Sequence, residues 1–190
     1  MRGLIALIGL MMTLVPAHAV LPIEQWETSG GVNVLFVKAD SIPMLDIEVR
    51  FDAGDRLDTA QKAGVADLTA SLLDAGAGDL DEQGIADAFA MLGAQRSSWS
   101  GADSASVRLR SLTSEPELTK ALALVTDMIA RPRFNADVLA REKGRTVLAI
   151  GNALKRPGFQ MRRAYTELSY PNHPYGLLTT IESIQEITAD

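Results

Sequence analysis

A chain of 190 residues with 47% apolar residues and no cysteine can bury one core of ordinary size and has no disulfide to staple it. Its net charge of −6 excludes a nucleic-acid binder, which needs a basic stripe, and a module for anionic membrane surfaces. Aromatic residues make up 5% while alanine and leucine are plentiful, so an aliphatic core rich in helix is expected.

Met1-Arg2, an apolar run from Leu4 to Val15 and the small-residue exit Pro16-Ala17-His18-Ala19 form a secretory signal peptide over residues 1–19. The run is too short to span a bilayer, which takes about 20 residues, and no later run is long enough either. With no cysteine there is no lipoprotein site, so no membrane anchor is expected after signal removal. Cleavage after Ala19 moves the net charge from −6 to −7 and leaves His173 as the one histidine.

Val32 to Lys38 reads as a strand behind the turn Ser29-Gly30-Gly31. Met44 to Asp52 is the clearest strand: Leu45, Ile47, Val49 and Phe51 alternate with Asp46, Glu48, Arg50 and Asp52. Polar outer faces on both strands point to an antiparallel sheet covered on one side. Ala53-Gly54-Asp55-Arg56 ends the second strand. A helix from Gly64 to Asp74 carries Val65, Leu68 and Leu72 on one stripe, and Gly76-Ala77-Gly78 stops it.

A second helix, Asp81 to Leu92, can be capped by Asp81. A hairpin follows, with arms Arg96–Ser100 and Ser104–Ser111 around Gly101-Ala102-Asp103. The third helix starts near Ser114-Glu115-Pro116-Glu117, with Ser114 as cap and Leu118, Leu122, Val125 and Ile129 as its buried stripe. Asn135 caps a long fourth helix that Pro157 ends, and a fifth runs from Gly158 to Leu168. A loop, Tyr170 to Gly176, leads to a last helical piece, Thr180 to Ile187. Strands followed by helices, without strict alternation, give an α+β class: an antiparallel-dominated sheet with helices packed on one face.

Four landmarks occur in a fixed order. They are Ala53-Gly54-Asp55-Arg56 after an alternating strand, Gly64-Val65-Ala66 opening a helix that closes on Leu72-Leu73-Asp74-Ala75-Gly76, the serine-rich hairpin after Gly93, and Asn172-His173-Pro174-Tyr175-Gly176 before Ile181-Glu182-Ser183-Ile184. Together they resemble the pitrilysin/insulinase family of zinc peptidases, over most of residues 25–190. That family holds zinc with two His at i and i+4 of one helix. A Glu beside the second His activates water, and a third ligand, a Glu, lies roughly 75 to 80 residues later.

On that resemblance the first His position is Asp67, the base position Ala70 and the second His position Ser71. The third ligand falls around Leu148 to Ile150, and no acid occurs between Lys143 and Tyr165. A carboxylate, a methyl and a neutral hydroxyl supply neither the ligands nor the base that hydrolysis needs. The expectation is a chain with no catalytic residue, no bound metal and no cofactor, zinc belonging only to a partner subunit. With one histidine, no Ser-His-Asp site is credible, and His173 in its proline-flanked loop reads as structural.

Family members dock peptide substrate as an added strand on a sheet edge beside the zinc helix. The matching edge is Gln95, Arg96, Ser97, Ser98, Trp99 and Ser100, a run polar enough to stay exposed. In two-chain members one subunit holds zinc and the other is degenerate, lining the chamber and touching substrate. The resemblance therefore implies an exported, periplasmic, inactive subunit in a heterodimer with a zinc-bearing subunit. Family subunits are much longer than this chain, so residues 20–190 are expected to be an N-terminal half that stops before its closing strands. The competing expectation is a stand-alone exported peptide-binding protein that uses the same edge.

Overall fold

The computed structural model describes residues 22–189, so the expected signal peptide lies outside the described residues. By internal contacts the chain forms two units, Met1–Ile42 and Pro43–Asp190.

The described part of the first unit is an antiparallel hairpin of β1 (Ile23–Glu27) and β2 (Asn33–Val37), in register Trp26 to Val34. Gly31 takes φ 81° in its turn, and Thr28 closes the loop, its Oγ1 accepting from the Val32 N–H at 3.1 Å. The rings of Trp26 and Phe36 meet edge to face at 6.3 Å. The partner strand β1 escaped the sequence reading because IEQWE has too few residues to establish a period.

The second unit is built on a three-stranded antiparallel sheet in the order β3 (Met44–Phe51), β7 (Ala105–Leu112), β6 (Gln95–Ser100). Asp46, Glu48, Arg108 and Arg110 share its outer face, where Arg110 grips Asp46 through two hydrogen bonds of 2.6 and 2.9 Å. Ile47, Val107 and Leu109 face inward. Against that inner face pack α2 (Glu82–Met91) and α3 (Glu117–Ala130), supplying Ile85, Phe89, Ala121, Val125 and Met128 to the main core. A second cluster joins Leu68 and Leu72 of α1 (Val65–Leu72) to Leu139 of α4 (Ala136–Ala153) and Ile184 of α6 (Ile181–Glu186). Between α4 and α6 runs α5 (Pro157–Ser169), with Pro157 in its first turn and no buried residue.

The caps largely match the chemistry read from the sequence. Asp81 accepts from the Gly84 N–H at 2.8 Å, and Asn135 accepts from Asp137 and Val138. Thr180 and Ser183 form a reciprocal capping box at the start of α6.

Three expectations are corrected. Ser114 does not cap α3: its hydroxyl donates to Glu117 Oε2 at 2.9 Å, and Pro116 holds the cap position without a side-chain bond. The buried stripe of α3 is Ala121, Val125 and Met128, while Leu122 is 37% exposed. Both stripes fit helical spacing, but Ala121, wholly buried, lets the helix approach the sheet closely, and ranking by hydrophobicity alone prefers Leu122. Finally, Gly76-Ala77 is more than a helix stop. It forms β4 (Gly76–Ala77) against β5 (Leu80–Asp81) and bridges to Pro132, with the Arg133 N–H donating to Gly76 O at 2.9 Å.

The rotated stripe is testable by denaturant unfolding. Met128→Ala is expected to cost about 2–5 kcal/mol, and Leu122→Ala under about 1 kcal/mol; the reverse order would restore the original stripe.

Candidate functional site

The helix that carries Asp67, Ala70 and Ser71 is set by its first turn. Gly64 caps α1 at φ 99°, a left-handed conformation, and a Cβ there would lie 2.8 Å from Ile184 Cδ1. Asp58 supplies the anion that the helix start needs: Oδ2 accepts from the Gly64 N–H at 2.7 Å and Oδ1 from the Ala66 N–H at 3.3 Å. The sequence reading did not single out Asp58. Its place six residues before a Gly-Val-Ala helix start was the available signal, but a side chain that reaches back from outside the helix has no fixed spacing.

Asp67 and Ser71, at i and i+4, share an exposed face of α1, while Ala70 is buried. Asp67 is exposed and lines a cleft of about 380 Å³ with Thr146 and Ile150 of α4 and Arg162 and Arg163 of α5. Ala70 is buried and lines a different, mainly apolar cavity of about 570 Å³ with Phe51, Leu57, Val107 and Ile129. Ser71 lines neither, and its hydroxyl donates to Leu68 O at 2.8 Å. Of the window around Leu148 to Ile150, Ile150 reaches the Asp67 cleft, whereas Leu148 is 69% exposed. Among the described residues no three His, Cys, Asp or Glu side chains are grouped to hold a metal ion. The residues that share the cleft with Asp67, among them Thr146, Ile150, Arg162 and Arg163, do not form a ligand set for Zn²⁺.

At this end of the helix Asp55, Asp58 and Asp67 act on one another as like charges instead. Burial, with the like charges of Asp67 and Asp58, pushes Asp55 from its ordinary value of 3.8 up to about 6. Asp55 Oδ1 is buried with no hydrogen-bond partner. Burial and then Asp58 raise Asp67 as well, even though that side chain keeps one side open to solvent.

The same segment fastens the hairpin that ends in the candidate docking edge. The Asp55 N–H donates to Gly101 O at 2.9 Å and the Arg56 N–H to Ala102 O at 3.0 Å. Gly54 permits that approach, since a Cβ on it would lie 2.2 Å from Gly101 O. Asp103 in the turn accepts from the Tyr175 hydroxyl at 2.7 Å. His173 has the structural setting expected of it: Nδ1 accepts from the Tyr175 N–H at 3.1 Å, and its ring packs on Tyr175 at 4.7 Å.

β6 has one ladder neighbour among the described residues, β7, and no strand pairs with its other side. The phase of the ladder follows from two bonds. Gly101 N–H donates to Ser104 O, and Thr113 N–H donates to Pro43 O. In antiparallel pairing, bonded and non-bonded pairs alternate. The first bond therefore makes Gln95, Ser97 and Trp99 the residues bonded to β7. The second makes the odd-numbered residues of β7 bond to β3, which agrees. Arg96, Ser98 and Ser100 are left with N–H and C=O groups aimed at the unpaired side.

The side chains of this edge are not uniformly exposed, contrary to the polar reading of the run. Ser100 is buried, and Arg96 folds inward to pair with Asp74 at 3.1 Å and cover the Phe89 ring at 4.9 Å. Trp99, 56% exposed, lies over Gly101, where a Cβ would meet its ring at 2.4 Å.

Comparison with known proteins agrees with this geometry. The family model for insulinase, peptidase family M16, matches residues 34–176. The chain belongs to the M16 family. A peptidase M16 inactive domain from Pseudomonas fluorescens shares 32% identity at a TM-score of 0.85, over 88% of this chain and 41% of that one. A protease from Helicobacter pylori (16% identity, TM-score 0.77) covers 89% of this chain and 41% of its own. The periplasmic protease PqqL from Escherichia coli (21%, TM-score 0.76) covers 90% and 19%; these two likenesses are of fold alone. The chain thus spans about two fifths, or less, of the length of these M16 structures. No curated protein sequence matches it. No helix among the described residues is long and apolar enough to cross a membrane.

Two outcomes follow from the geometry. A carboxyl held above its unfolded value costs stability once it is forced to ionise. That cost is absent below the unfolded pKa and complete above the folded one. Asp55→Asn is therefore expected to raise the melting temperature at neutral pH, with the gain fading as pH falls from about 6 towards about 4. A gain that persists below that window, or none at neutral pH, would contradict the clustering. On the edge, Ser97→Pro removes a donor from the β7 ladder and is expected to cost about 1–3 kcal/mol. Ser98→Pro removes an outward donor and should cost less; equal costs would mean the phase is wrong.

Proposed function

We propose that this protein is an exported, non-catalytic M16 subunit that docks peptide on the unpaired side of β6, for cleavage by a zinc-bearing partner of the same family. The observation that carries the reading is a pairing: an intact site helix with Asp67, Ala70 and Ser71 at the ligand and base positions, beside a strand whose backbone groups stay available. Likeness to an M16 inactive domain at 32% identity supports the loss of hydrolysis. The sequence's signal-like start and the fold shared with a periplasmic protease support export to the periplasm.

In this role the chain contributes binding rather than chemistry. Backbone groups of Arg96, Ser98 and Ser100 would add a peptide strand through main-chain bonds, giving affinity with little dependence on sequence. Trp99 supplies apolar area to the side chain laid beside it. Ala70 takes no proton and Ser71 spends its own on Leu68 O, so neither activates water. Zinc, the water it activates and the general base would all come from the partner.

Capture of the tagged protein from its host, with partners identified by mass spectrometry, tests the assignment. The expected result is a stoichiometric M16 subunit carrying His-x-x-Glu-His, with peptidase activity from the pair and none from this chain alone. Co-purifying peptides without such a subunit would instead favour a stand-alone peptide-binding protein. Zinc bound at α1 in stoichiometric amount would refute both.

A further inference from the structure

The cleft beside Asp67 has a composition that the docking of a strand on β6 does not use. It lies between α1, α4, α5 and residues 177–179, and encloses about 380 Å³. No residue of β6 lines it. One acid and two arginines do, so its formal balance is positive in a protein whose overall charge is −6.

The arginines are also poorly occupied. Arg162 makes no ion pair or hydrogen bond among the described residues. Arg163 has a single ion pair, to Glu167, at 3.9 Å, although three quarters of its side chain is covered. Several other arginines of the unit are closely paired: Arg110 with Asp46 at 2.6 Å, Arg131 with Asp127 at 2.7 Å and Arg141 with Glu82 at 2.9 Å. Arg162 is exposed, while Arg163 is partly covered and also acts on Glu182, whose carboxyl it helps hold below its ordinary value; both guanidinium groups keep donors without a close acceptor.

The walls argue for an organic anion. Phe159 and Ile150 line the same space as the arginines, so a ligand there meets apolar surface on one side and cations on the other. Thr146 and Thr166 add hydroxyls to the lining. Guanidinium groups match the planar fork of a carboxylate.

We propose that this cleft is a carboxylate-binding site in which Arg162 and Arg163 hold the carboxylate of a peptide. The ligand class is a peptide acid with an apolar side chain next to the charge. Both a C-terminal carboxylate and an acidic side chain carry the required group. The site is independent of the β6 reading, because a peptide bound here need not pair with that strand.

Calorimetric titration of the protein with three probes tests this: N-acetyl-Ala-Phe as the free acid, the same dipeptide as its C-terminal amide, and N-acetyl-Glu-Phe amide. At least one acid is expected to bind about tenfold or more tightly than the neutral amide. Preference for the free acid assigns the C-terminal source, preference for the glutamyl amide the side-chain source, and equal binding of both the shared carboxylate chemistry. Arg162→Gln and Arg163→Gln should each weaken binding, Arg162→Lys should retain part of it, and Arg108→Gln on the outer sheet face should change nothing. Equal binding of acid and neutral amide would overturn the proposal, as would no binding at millimolar concentration or no effect of the arginine substitutions. Because the titration uses the unmutated protein first, a variant that misfolds leaves the result decisive.

Discussion

The geometry of this molecule depends on the short segment Gly54–Asp58. At one end its backbone N–H groups hold the β6–β7 turn through Gly101 O and Ala102 O. At the other, the Asp58 carboxylate holds the first turn of α1. A strand edge and a helix that belong to different parts of the sequence are thereby fixed to one frame. The cost is visible in the same place: Asp55, Asp58 and Asp67 act on one another as like charges, and Asp55 is pushed up to about 6.

That frame does not depend on metal ligands. The positions that would carry ligands still occupy a capped helix, yet Asp67 and Ala70 line separate cavities and Ser71 lines neither. The cleft of Asp67 is lined by Arg162 and Arg163 and by no second acid, a set without the ligands a dication needs. A polypeptide can discard catalysis without discarding its fold, because the core clusters around Phe89 and Leu68 involve none of the exposed positions. The edge strand is likewise independent of the metal: its affinity for a peptide would come from backbone groups that every sequence has.

Much of this was legible in the residues. Strict alternation from Leu45 to Phe51 marked β3, and Asp81 and Asn135 marked helix starts because capping uses few residue types at fixed offsets. The family followed from four landmarks in order. Other features have no local signal. The short β1 and the two-residue β4 and β5 are defined by their partners and not by a period. Asp58 as helix anchor, Arg96 turned inward onto Phe89, and the α5 arginines beside Asp67 are meetings of residues distant in sequence. On α3 the error was one of rotation, since an alanine that permits close packing outranks a leucine that does not.

The central claim is that β6 offers Arg96, Ser98 and Ser100 to an incoming peptide strand. Residue-resolved amide hydrogen exchange along Gln95–Ser100, with and without the peptides or partner captured from the host, tests it most directly. The account predicts slow exchange at Ser97 and Trp99 throughout, and fast exchange at Arg96 and Ser98 that becomes slow once peptide is bound. Protection of Arg96 and Ser98 in the free protein, or exchange unchanged by bound peptide, would contradict it.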